Sequence, residues 1–93
     1  MSLVFMIPGP LRELAGNRSE VRVEGTARSV SDALALLWEH CPGVRDRVIT
    51  ELGEVRPHVQ IFIDGESIRY CGGLRAPVRD GAEVLIVPAL SGG

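Results

Sequence analysis

Ser29-Val30-Ser31-Asp32-Ala33-Leu34-Ala35-Leu36-Leu37-Trp38-Glu39-His40-Cys41 is the stretch from which the fold follows. Val30, Ala33, Leu34, Leu37, Trp38 and Cys41 recur at i, i+3, i+4, i+7, i+8 and i+11, one continuous apolar stripe at helical period. Ser29 is a good N-cap, and Asp32 stands in capping-box register, although the usual partner there is Glu or Gln. Pro42-Gly43 ends the helix. A single buried stripe implies a single surface to pack against, which points to a sheet.

The flanking sequence supplies that sheet. Residues 3–7 form a short apolar run stopped by Pro8-Gly9-Pro10, and read as a strand; residues 11–15 read as a helical turn. Glu20-Val21-Arg22-Val23-Glu24 alternates polar and apolar, the period of a half-buried strand, and can pair antiparallel with the first. Residues 44–52 read as a short helical segment. Residues 59–63 are a strongly apolar strand closed by the hairpin dipeptide Asp64-Gly65, with residues 66–70 returning as a short strand. Arg79-Asp80-Gly81 is a turn, and residues 83–88 are the last strand, closed by Pro88. The fold class is therefore α+β: a mixed four- to five-stranded sheet packed on one main helix, with the first and last strands parallel in its middle.

Ninety-three residues make one domain, and the net charge of −2 argues against a nucleic-acid binder, which would show a basic face. All ten basic residues are arginine, so the chain offers no lysine amine. Two cysteines, Cys41 and Cys71, are too few and too far apart for a disulfide framework or a zinc pattern, and reduced thiols in a cytoplasmic protein are expected. No signal-peptide pattern and no apolar run near the ~20 residues of a membrane span is present, so no membrane association is expected.

The chain ends in Gly92-Gly93. Glycine lacks a Cβ, so such a terminus can thread a narrow channel and bring its carboxylate against another protein's backbone. The five residues after Pro88 reach roughly 17 Å when extended. Residues 1–88 are read as the domain and residues 89–93 as a flexible tail, since nothing in the tail can bury enough surface to offset the entropy of ordering.

Taken together, four stretches resemble the ubiquitin-like sulfur carriers of the β-grasp fold. These are the small subunit of molybdopterin synthase, the thiamine-pathway sulfur carrier and the carrier that feeds a cysteine synthase. The stretches are Leu11-Arg12-Glu13-Leu14-Ala15-Gly16, Ser29-Val30-Ser31-Asp32-Ala33-Leu34, Cys41-Pro42-Gly43, and Asp80-Gly81-x-Glu83-Val84-x-Ile86-x-Pro88-x-x-x-Gly92-Gly93. Ile68-Arg69-Tyr70-x-Gly72-Gly73-Leu74 looks closest to the cysteine-feeding carriers. The first strand departs from the pattern by ending in Ile7-Pro8 instead of aromatics.

The resemblance implies acyl chemistry at the terminus. A ubiquitin-activating-type adenylating enzyme uses ATP to adenylate Gly93, and sulfur from a persulfide or sulfide displaces AMP, leaving a thiocarboxylate. The sulfur acceptor is a synthase: the molybdopterin synthase large subunit, a thiazole synthase or a cysteine synthase. Gly93 is then the reacting residue and Gly92 gives access. No cofactor is bound by the chain itself, and ATP belongs to the activating partner. Two rival readings stay open: a protein modifier joined through Gly93 to target lysines, and a plain binding module whose Gly-Gly is incidental.

The residues offer few competing sites. His40, Cys41 and His58 are too few and wrongly spaced for zinc, and no metal site is expected. Gly72-Gly73 lacks the Lys-Ser/Thr of a phosphate loop. Cys71 is expected to be structural, and Asp64 and Glu66 simply solvated. Strand alternation is more informative. With Phe5, Ile7, Val59, Ile61, Ile63, Val84 and Ile86 turned to the helix, Met6, Phe62, Leu85 and Val87 form an apolar patch on the other face of the sheet. Such a patch marks a partner-binding surface.

Overall fold

The computed structural model describes residues 1–88; residues 89–93, with Gly92, Gly93 and the flexible tail expected there, lie outside the described residues. β1 (Ser2–Met6) leads through a short helix α1 (Gly9–Arg12) and a 3-10 turn at Glu13–Ala15 into β2 (Glu20–Glu24). The main helix α2 (Val30–His40) and a second helix α3 (Pro42–Val48) follow. β3 (Gln60–Ile63) and β4 (Glu66–Ser67) form a hairpin, and β5 (Glu83–Val87) closes the sheet. The strand order is β2-β1-β5-β3-β4, with β1 and β5 parallel and every other pair antiparallel. This is the expected β-grasp arrangement, with its first and last strands adjacent at the centre.

Helix α2 forms where the stripe requires it. Ser29 holds an extended backbone as N-cap, and its hydroxyl accepts the Asp32 N–H at 3.2 Å. The Asp32 carboxylate reaches back to the N–H of Arg28 at 3.2 Å, one residue beyond the position a full capping box would use. Val30, Ala33, Leu34 and Leu37 are buried, with Trp38 half-buried at the edge of the stripe. Ser29→Ala is expected to lower stability by about 1 kcal/mol, measured by urea denaturation, because it leaves a helical N–H without its acceptor.

Opposite the stripe, the inward side chains of the sheet are Leu3, Phe5, Val21, Val23, Ile61, Val84 and Ile86, all at 2% exposure or less. Val44 and Val48 of α3 close the core from the side, and among the described residues no polar or charged side chain is buried. Pro42-Gly43 does end α2, but Pro42 also opens α3 at its first turn, where proline's missing N–H costs nothing.

Two turns fasten the hairpin and the central strand. Asp64 and Gly65 have φ of 48° and 89°, the left-handed pair of a two-residue hairpin turn. The Asp64 carboxylate accepts the Glu83 N–H at 2.9 Å, and its own N–H donates to the Glu83 carbonyl at 2.9 Å. Asp64 is thus a clasp on the start of β5, not the merely solvated residue expected. At the Asp80-Gly81 turn, Gly81 has φ 81° and donates to the Ser2 carbonyl at 2.7 Å, while the Ser2 N–H donates to the Asp80 carboxylate at 2.7 Å.

The returning strand expected over residues 66–70 is shorter. β4 stops at Ser67, whose hydroxyl accepts the Arg69 N–H at 3.3 Å and turns the chain into a 3-10 helix at Ile68–Tyr70. That turn drives Ile68 into the core. A further 3-10 turn spans Gly73–Arg75.

Candidate functional site

The strand that leads to the C-terminus is the middle one. β5 lies between β1 and β3, and its end at Val87 sits at the edge of the sheet where β1 also ends and β3 begins. Residue 88, the last described, follows β5 at that end of the sheet and is half-buried. Gly92 and Gly93, the expected reacting residues, fall beyond the described residues.

The outward face of the sheet carries the expected apolar residues. Met6 pairs with Leu85, and Leu85 with Phe62, so the three form a row across β1, β5 and β3. Val87 continues the patch opposite Gln60, at the end of the sheet where residue 88 departs. The facing assigned from strand alternation is correct for all four. Their exposure is smaller than a bare surface would give: each is half-buried, because neighbours in a cross-strand row shield one another at ~5 Å spacing. Ile63, expected inside, is also only half-buried, being the last residue before the hairpin turn.

Sequence reasoning missed Val4, which lies two residues before Met6 on the same face and is half-buried opposite Arg22 and Glu83. The alternation that placed Met6 would have placed Val4 as well. A polar rim bounds the patch: Glu20, Arg22 and Glu24 project from β2 on this side. The Arg22–Glu20 ion pair, 3.5 Å long and exposed, contributes little to stability.

Cys71 and Glu66 meet away from this face. The Cys71 thiol donates to the Glu66 carboxylate at 3.2 Å, so Glu66 is not simply solvated. That hydrogen bond, with burial and the carboxylate's charge, raises the thiol's pKa and keeps it protonated, the opposite of an activated nucleophile. Cys41 is buried, with an Arg18 guanidinium N–H 3.5 Å from its sulfur. Among the described residues no three His, Cys, Asp or Glu side chains gather as a metal site, and no helix is long and apolar enough to cross a membrane.

Comparison with known proteins agrees with this geometry. The chain matches the ThiS family over residues 5–93. It is 28% identical over 95 residues to the sulfur carrier protein CysO of Mycobacterium tuberculosis, covering 100% of both chains. It is 32% identical over 94 residues to small archaeal modifier protein 3 of Haloferax volcanii, again covering 100% of both. A chain in the crystal structure of the Amycolatopsis orientalis BexX/CysO complex superposes with a TM-score of 0.86 at 27% identity, covering 98% of this chain and 99% of that one.

Proposed function

The chain belongs to the ThiS family of small sulfur carriers, and from that premise we propose that it carries sulfur as a thiocarboxylate on Gly93. The observation that supports this reading is the ThiS match extending through Gly93, on a body whose central strand β5 leads directly to that terminus. The chain is a carrier on which partner enzymes act, and its own side chains perform no catalytic step.

The chemistry follows from the weakness of a carboxylate as an electrophile. An adenylating partner joins a Gly93 carboxylate oxygen to the α-phosphorus of ATP and releases pyrophosphate. Hydrosulfide attacks the carbonyl carbon, the bond to the AMP oxygen breaks, and AMP leaves with the electron pair. Loss of a proton to solvent gives the thiocarboxylate, a charged soft nucleophile ready for an acceptor enzyme. Among the three acceptors, the full-length likeness to CysO and the Ile68–Leu74 pattern favour a cysteine synthase.

The adenylating partner docks on the Met6–Leu85–Phe62 row, with Val87 leading toward the terminus. An apolar surface bounded by a polar rim and continuous with the C-terminal end of β5 suits that role. Phe62→Ala is expected to raise the KM for this chain in ATP–pyrophosphate exchange by about tenfold, with kcat little changed. Its cost in stability should stay near 1 kcal/mol, the range of one cross-strand pair. An unchanged KM would remove the patch from the docking surface.

The likeness to small archaeal modifier protein 3 supports a second use of the same activated carboxyl, transfer to a target lysine. Incubation of tagged chain with cell extract and ATP separates the two. The carrier reading expects sulfur on the free chain, whereas modification leaves stable adducts on other proteins.

A further inference from the structure

A small pocket opens on the other side of β3 from the apolar row. Its floor is Val59, Ile61 and Ile68, all buried, and Leu74 forms a wall. Its volume is about 160 Å³. That is comparable to the roughly 150 Å³ apolar cavity that accepts benzene, so it has room for one aliphatic or aromatic side chain.

Two arginines line the pocket, and each is anchored. Arg56 Nε donates to the Asp46 carbonyl at 2.8 Å, and Arg69 Nη2 donates to the Pro57 carbonyl at 3.1 Å. Each bond tethers one guanidinium nitrogen to a backbone carbonyl and neutralises no charge. The Asp46 carboxylate itself faces Arg45 at 3.5 Å, and neither Arg56 nor Arg69 has an ion-pair partner among the described residues. In a chain of net charge −2, this places two oriented and uncompensated cations at the mouth of an apolar hole. Tyr70, which directly follows Arg69, is 90% exposed. Exposed Tyr and pre-positioned Arg beside an apolar pocket are the residue types that anchor protein interfaces.

We infer that this pocket is a second docking site, taking a partner-protein segment in which an apolar side chain is flanked by carboxylates. The apolar side chain fills the space over Ile61 and Ile68, and the carboxylates accept charge-assisted hydrogen bonds from Arg56 and Arg69. Because the pocket lies on the helix side of β3 and the Phe62 row on the other, occupancy of one leaves the other open. This site does not depend on the chemistry assigned to Gly93.

The test is an NMR titration of the ¹⁵N-labelled full chain with the blocked peptide acetyl-Asp-Leu-Asp-amide. Saturable shifts are expected at Val55, Arg56, Arg69, Gly73 and Leu74, with a Kd on the order of 1 mM for so short a probe. Replacing Asp by Asn, or Leu by Ala, in the peptide should weaken binding about tenfold each. So should the double variant Arg56→Gln with Arg69→Gln. Arg69→Gln alone, at an exposed position, should weaken it severalfold and keeps the test valid if the double variant misfolds. The inference is overturned if no shifts arise at these residues, if they fall at Phe62 and Leu85 instead, or if the Asn peptide binds equally well. Shifts at the pocket that grow with protein concentration in the absence of peptide would assign it to a second copy of the chain, and also overturn it.

Discussion

A chain lacking Gly93 is expected to fold normally and to lose sulfur loading. Removing one residue pulls the carboxylate back by about 3.4 Å. Misplacing a reacting group by about 1 Å already costs on the order of a hundredfold in rate, so a shift of a full residue leaves no measurable product. Gly92→Leu should have the same effect by a different route, since a branched side chain at the penultimate position blocks entry to a narrow channel. Both changes fall after Ile86, the last buried apolar residue among those described, and thermal stability is expected to be unchanged. Intact mass after incubation with an activating enzyme, ATP and sulfide reads the loading, and a thermal melt reads the fold. A Gly93-deleted chain loaded at the normal rate would refute the carrier mechanism.

Leu37→Ala should have the largest effect on stability. Leu37 is fully buried and lies in the middle of the α2 stripe, facing the sheet. Truncation loses the transfer free energy of the removed carbons and leaves a cavity, together about 2–5 kcal/mol. Against a total of roughly 5–15 kcal/mol for a small domain, that moves a large fraction of the unfolding free energy. Urea denaturation should show a lower midpoint with an unchanged slope. A loss below about 0.5 kcal/mol would mean that the helix does not seat on the sheet through this stripe.

Local patterns in the sequence are legible, and contacts between distant residues are not. The stripe from Val30 to Leu37 and the Ser29 cap are local patterns, and local patterns fixed α2. Strand alternation separated Phe62 and Leu85 from Ile61 and Ile86, because one residue of slip would have put apolar groups on the wrong face. The residues that escaped are those whose roles depend on distant partners. Asp64 looks solvated until β5 comes alongside and presents the Glu83 N–H. Glu66 looks solvated until the 3-10 turn at Ile68–Tyr70 folds Cys71 back onto it. The same turn was hidden because Glu66 to Tyr70 is too short to separate a strand from a helical turn by period alone. The pocket between Arg56 and Arg69 has no sequence signature, since its walls come from β3, the turn at Ile68–Tyr70 and Leu74. The reverse holds for Gly92 and Gly93, which are legible only as sequence.

The central claim, that Gly93 is the sulfur-bearing residue, is tested most directly by tandem mass spectrometry of the C-terminal peptide. The full chain is first incubated with its activating enzyme, ATP and sulfide. The mechanism predicts a gain of about 16 Da, sulfur in place of oxygen, confined to the fragment that contains the Gly93 carboxyl. A C-terminal peptide of unchanged mass under conditions where ATP is consumed, or the added sulfur found on Cys41 or Cys71, would contradict it.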